Sequence, residues 1–168
     1  IRGIVFDGAS EVADAIRIDD TVTGAPVVIS GCTVRNYTNR FVYVSLSGKI
    51  ESLTIDDCIF IGADNSTTNK AIYASSAHTQ VETLSVTNST FLNFNTGSNY
   101  FFRINCGEEL VLMPVVLIDH CTFYNCYDRR GVYLYNAGRS TIKNCISAFS
   151  ERRDDTKSFT AYGDESIV

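Results

Sequence analysis

The chain has 168 residues, of which 45 % are apolar, and a net charge of −5. That length suits one domain with a sizeable core, and the acidic balance argues against a nucleic-acid binder. No apolar run approaches the roughly 18–20 residues that a membrane-crossing helix needs, so no membrane span is expected in this segment.

In chain order, the sequence opens on "IVFDG" (4–8), which reads as the inside of a repeat, and continues through "DAIRIDDTV" (14–22). Two phrases then alternate. The first reads "VVISGCTVRNY" (27–37), "LTIDDCIFIGA" (53–63), "LSVTNSTFLNF" (84–94), "VLIDHCTFYNC" (116–126) and "STIKNCISAFS" (140–150). The second reads "RFVYVSLSG" (40–48), "KAIYASSAH" (70–78), "YFFRINCGE" (100–108), "GVYLYNAGR" (131–139) and "SFTAYGDES" (158–166), with 14–22 as its weakest copy. The chain closes on "ESIV", which looks like the start of another copy. Residues 1–168 are therefore expected to be a single domain and a segment of a longer protein.

In the first phrase, Cys32, Cys58, Ser89, Cys121 and Cys145 recur at spacings of 26, 31, 32 and 24 residues. In the second, Arg17, Tyr43, Tyr73, Arg103, Tyr133 and Thr160 recur at 26, 30, 30, 30 and 27. A fixed period of this length marks a solenoid, a propeller or an array. Both phrases alternate apolar and polar residues with period 2, which is strand periodicity. Between two such strands stand Gly31, Asp57, Asn88, His120 and Asn144; Gly, Asn and Asp tolerate the left-handed conformation that a one-residue bend needs. Each repeat is thus strand, bend, strand, loop, strand, loop. The predicted fold is all-β: a right-handed, single-stranded parallel β-helix of about six coils with three short strands per coil, its hand following from the crossover rule. Val34, Phe60, Phe91 and Phe123 should form one interior stack, with Cys32, Cys58, Ser89 and Cys121 beside it. A leucine-rich repeat fits less well, because one residue rather than two separates Val86 from Asn88 and no helix follows.

The repeated aliphatic-x-Asn-Cys/Ser-x-Phe pattern and the apolar second strand resemble the pectin-lyase-like superfamily. More narrowly, they are similar to uncharacterised β-helix domains of surface lipoproteins from gut Bacteroidetes. The resemblance implies an extracellular or outer-membrane-surface location and a ligand groove over one sheet's outer face, here the second phrase. It specifies fold far better than function.

A hydrolase on this groove would need two carboxylates facing a sugar bond, and a calcium-dependent lyase would need several acidic oxygens and a base. Only Asp19 supplies a carboxylate there, so no catalytic residue is assigned, nor any cofactor. Asp56, Asp57, Asp119 and His120 fall on the bend phrase and read as solvated or bend-capping groups, and His78 has no visible partner. The six cysteines form no CxxC pair, so no metal site is assigned; most read as buried small hydrophobes, with a Cys106–Cys126 bridge left open. The face is instead rich in tyrosine. Tyr133, Tyr135 and Tyr162, with Arg103 and the loop arginines Arg129, Arg130, Arg152 and Arg153, form the candidate ligand-binding set. Aromatic faces suit sugar rings, and guanidinium groups pair with carboxylate or sulfate. The expected function is a non-catalytic β-helix module of a bacterial cell-surface protein that contacts a polysaccharide, an anionic one preferred. The alternatives are a polysaccharide lyase or glycoside hydrolase of pectin-lyase-like type, and an architectural or adhesin spacer.

Overall fold

Each strand–bend–strand phrase turns about one residue in the left-handed region. Gly31, Asp57, Asn88, His120 and Asn144 have φ of 60°, 52°, 50°, 53° and 52°. This conformation costs an ordinary L-residue about 1–2 kcal/mol and costs Gly, Asn and Asp less, which explains four of these five choices. A further copy lies at the start of the chain, where Gly3 bends with φ 63°. The bend leaves the backbone ladder unbroken. The bend N–H donates to the last strand residue of the next coil: Gly31 to Asp56 (3.0 Å), Asp57 to Thr87 (3.2 Å), Asn88 to Asp119 (3.1 Å) and His120 to Lys143 (3.3 Å).

The computed structural model describes residues 1–19, 21–22, 26–45, 49–62, 69–76, 80–94, 100–106, 115–126, 131–135, 138–148 and 159–162. Its strands form three parallel sheets. The first holds β3 (Thr21–Val22), β4 (Val27–Ser30), β7 (Lys49–Asp56), β10 (Gln80–Thr87), β13 (Val115–Asp119) and β16 (Ser140–Lys143). The second holds β1 (Val5–Asp7), β5 (Thr33–Arg35), β8 (Ile59–Ile61), β11 (Thr90–Leu92), β14 (Thr122–Tyr124) and β17 (Ile146–Ala148). The third holds β2 (Asp14–Ile18), β6 (Arg40–Val44), β9 (Lys70–Ser76), β12 (Phe102–Cys106), β15 (Val132–Tyr135) and β18 (Phe159–Tyr162). The chain is an all-β parallel solenoid with three sheets.

Two expectations need correction. The sequence suggested about six equivalent coils, whereas about three are stacked on both sides in all three sheets: β5–β7, β8–β10 and β11–β13. Every coil outside these carries at least one edge strand. At the start, β3 and β4 both pair with β7, and β16 ends the first sheet. The strands are also not uniformly short, because β7 and β10 run eight residues each. Their register passes from Val81↔Ile50 to Thr83↔Ser52. Ile50 and Leu53, and likewise Val81 and Leu84, are therefore buried three residues apart, as the chain rounds a corner inside one strand.

A further corner follows the second sheet. Asn36, Asn93 and Asn125 are left-handed there, with φ of 59°, 59° and 51°, and Asn125 Nδ2 donates to Asn93 Oδ1 at 2.9 Å. Gly62 holds the same position for a steric reason, since a Cβ on it would lie 2.4 Å from the Asn93 carbonyl oxygen.

The interior stack is in register. Val34, Phe60, Phe91, Phe123 and Ser147 are successive Cα partners. Phe60 and Phe91 stack at 5.0 Å and 6°, and Phe91 and Phe123 at 5.1 Å and 14°. Phe41, Phe94, Phe101 and Phe102 fill the rest of the core around them. Beside the stack, Cys32, Cys58, Ser89 and Cys121 are buried. Ser89 serves at a cysteine position because its Oγ accepts from Cys58 N–H (3.1 Å) and donates to the Thr87 carbonyl (2.8 Å). Cys145 is only half-buried, since it lies in a terminal coil. Cys126 is buried, and its thiol donates to the Phe91 carbonyl at 3.2 Å; the side chain of Cys106, the other half of the candidate bridge, lies outside the described residues. Burial pushes the Cys121 and Cys126 thiols up to about 12.

Truncating Phe91 to Ala should cost about 3–5 kcal/mol of unfolding free energy, measured by denaturant titration, because the ring is sandwiched between two others and the cavity cannot collapse. Native thiol labelling at mildly alkaline pH should reach Cys145 before Cys32, Cys58, Cys121 and Cys126, and should leave Cys121 and Cys126 unmodified until the chain is unfolded, because the thiolate is the reactive form. Mass mapping of the labelled cysteines checks the order.

Candidate functional site

The third sheet presents one column in register. Arg17 pairs with Tyr43, Tyr43 with Tyr73, Tyr73 with Arg103, Arg103 with Tyr133 and Tyr133 with Thr160. This is the alignment read from the sequence. Successive members are separated by the inter-strand spacing, about 4.8 Å.

A second column lies three residues earlier on each strand and interlocks with the first. Arg40 precedes Tyr43, Lys70 precedes Tyr73, and Tyr100 precedes Arg103. The Arg40 guanidinium lies 3.5 Å from the Tyr43 ring centroid, the Lys70 ammonium 5.6 Å from that of Tyr73, and the Arg103 guanidinium 4.5 Å from that of Tyr100. Each of these coils contributes one cation and one tyrosine, with the order reversed in the third. Arg130 precedes Tyr133 at the same spacing in the sequence.

The cations differ in their partners. Arg40 makes a two-pronged contact with Asp14 at 2.7 and 2.8 Å, and Arg17 Nε donates to Asp19 at 2.6 Å. Arg103 is held differently. Its Nη1 donates to the Tyr73 hydroxyl (3.4 Å) and to the Tyr100 hydroxyl. The rings of Tyr73, Tyr100 and Tyr133 surround it at 5.8, 4.5 and 5.8 Å. Among the described residues it has no carboxylate partner, and its Nε is buried without an acceptor. Tyrosine ring faces attract a guanidinium without supplying an opposite charge.

Of the sequence-derived set, the structure joins Arg103 and Tyr133. Tyr133 is only 7 % exposed, because Tyr100 stacks on it at 5.6 Å and 19°. The open ring expected at Tyr133 is therefore covered, and Tyr43, 8 % exposed, lies beneath Arg40. The half-buried Tyr73, Tyr100 and Arg103 face the surface instead. The backbone of Tyr135 pairs with Asn105 and Tyr162. Arg129, Arg130, Arg152 and Arg153 lie outside the described residues, as do the side chains of Tyr135 and Tyr162 and the whole of His78.

The acids of the bend phrase are structural. Asp56 accepts from Thr87 Oγ1 (2.6 Å) and Asn88 Nδ2 (2.9 Å). Asp119 accepts from Asn144 Nδ2 (2.9 Å) and lies 2.8 Å from His120 Nδ1 and 3.4 Å from Lys143 Nζ. These hydrogen bonds, with the nearby cations for Asp119, hold both carboxyl groups below the usual carboxylate range. Among the described residues no group of three His, Cys, Asp or Glu is placed to hold a metal ion, and no helix is long and apolar enough to cross a membrane.

A carboxylate with a lowered pKa stabilises the fold above its unfolded value and loses that contribution as pH falls through the folded value. Denaturant midpoints should therefore stay level down to about pH 4 and decline below it. An Asp56→Asn/Asp119→Asn variant should show a shallower decline.

No curated protein and no solved structure matches the chain. The family described as a domain of unknown function (DUF4957) matches residues 1–94, more than half of the 168. With its repeats folded into a parallel solenoid, the chain belongs to the DUF4957 family.

Proposed function

We propose that this chain is a non-catalytic, right-handed β-helix module of pectin-lyase-like type in a bacterial cell-surface protein, and that it contacts an anionic polysaccharide with the outer face of its third sheet. The observation that carries this reading is Arg103, a guanidinium without a carboxylate partner among the described residues, set in a cage of three tyrosines. The interlocked cation and tyrosine columns support it. A linear polymer laid along the solenoid axis would meet the half-buried rings of Tyr73 and Tyr100, with Lys70 and Arg103 beside them. Tyrosine supplies apolar contact with a hydroxyl handle, and arginine favours carboxylate or sulfate. Contacts repeated along the axis add up although each is weak.

Calorimetric titration with oligouronates and sulfated oligosaccharides tests the reading. Binding should weaken with added salt. Arg103→Gln should reduce it by about 10-fold or more, the scale of one charge-assisted hydrogen bond. Tyr73→Ala with Tyr100→Ala should reduce it further while circular dichroism stays unchanged. Equal affinity in Arg103→Gln, or no binding to any acidic glycan, would contradict the reading. Release of unsaturated sugars during the titration would make the chain a lyase instead.

A further inference from the structure

The outer face of the second sheet has a different chemistry. Its outward residues form two columns in register. One runs Val5, Thr33, Ile59, Thr90, Thr122, Ile146, and the other Asp7, Arg35, Ile61, Leu92, Tyr124, Ala148. From β8 to β17 no outward residue is charged. The charges at the far end neutralise each other, since Arg35 Nε donates to Asp7 at 2.9 Å. Four of the eight exposed large apolar side chains among the described residues stand on this strip: Val5, Ile59, Tyr124 and Ile146, at 62, 42, 43 and 62 % exposure.

We propose that two copies of this chain associate face to face through this strip. Three features select a second copy. The first is anatomy: Ile59, Ile61, Leu92 and Tyr124 form an uncharged centre and the Asp7–Arg35 pair lies at the rim, which is the layout of a protein–protein interface. The second is period. Parallel sheets pack face to face about 10 Å apart with interdigitating side chains, and another solenoid of the same rise keeps its rows matched along the whole strip. The third is charge: each copy carries −5, so two copies can approach closely only where that charge is absent. Val, Ile and Thr are stiff at χ1, so ordering them on association costs little. Twelve outward positions fall below the roughly 20–30 residues per side of a standard stable interface, which places the dimer at the weak, concentration-dependent end.

Sedimentation of the whole chain over a wide concentration range tests this. The weight-average mass should rise from 18.5 kDa towards twice that value. In Ile59→Lys/Tyr124→Lys the association should weaken by at least about 10-fold, since both residues lie near the centre of the patch. These side chains are exposed, so the fold should survive, with circular dichroism as the check. Val115→Lys removes an equally exposed apolar residue from a different sheet and should associate like the unaltered chain. A monomer at every concentration, or an undiminished dimer in the double variant, would overturn the proposal. So would a monomer retained on an insoluble neutral polysaccharide in an Ile59- and Tyr124-dependent way, which would assign the strip to a glycan.

Discussion

Everything in this molecule depends on like residues standing above like residues. The bend sets this register. At the corners of Gly3, Gly31, Asp57, Asn88 and His120 one left-handed residue turns the chain while its N–H remains bonded to the next coil, so the two flanking strands are fixed relative to each other and to their neighbours. A one-residue slip at one corner would exchange the inner and outer faces of the strand that follows. Phe91 would leave the stack, and Thr90 or Leu92, each smaller than the ring, would stand in its place. The ring stack and the hydrogen-bonded corners therefore enforce the same alignment from inside and outside.

Once register is fixed, each sheet displays its own chemistry as columns. The first sheet carries Asp56 and Asp119 two strands apart, each occupied by side-chain donors at the corner. The second is uncharged along most of its length. The third interlocks tyrosines with cations. With three surfaces of different polarity on one small solenoid, the proposed polymer contact and the proposed self-association would fall on different faces and would not compete for space.

The repeat, the bend positions, the phenylalanine stack and the third-sheet column were legible because each recurs at the same offset in several coils. What recurs less regularly was harder to read. The second corner alternates between Gly and Asn (Gly8, Asn36, Gly62, Asn93, Asn125), and Gly62 serves there through close approach of the Asn93 carbonyl rather than through a left-handed φ. Tyr100 covers Tyr133 from outside the column that the period-2 alternation picks out, so the alternation alone does not single it out. The signal was present: Arg40–Tyr43, Lys70–Tyr73 and Arg130–Tyr133 share an i, i+3 cation–tyrosine spacing. In Tyr100–Arg103 the two types change places, so a column-by-column reading sees only an arginine among tyrosines. The unequal coils were hidden for another reason. Edge strands carry the same phrases as central ones, and only pairing reveals that β3 and β4 share a partner.

The central claim is that the third sheet's outer face, with Arg103 at its centre, is the contact surface for an acidic glycan. The most direct test is chemical-shift mapping on the isotope-labelled chain titrated with a uronate oligosaccharide. The account predicts that the largest changes fall on residues 70–76 and 100–106 and on the Arg103 side-chain N–H, with smaller changes at 40–44. Changes confined to residues 59–61, 90–92 and 122–124, or none at saturating oligosaccharide, would contradict it.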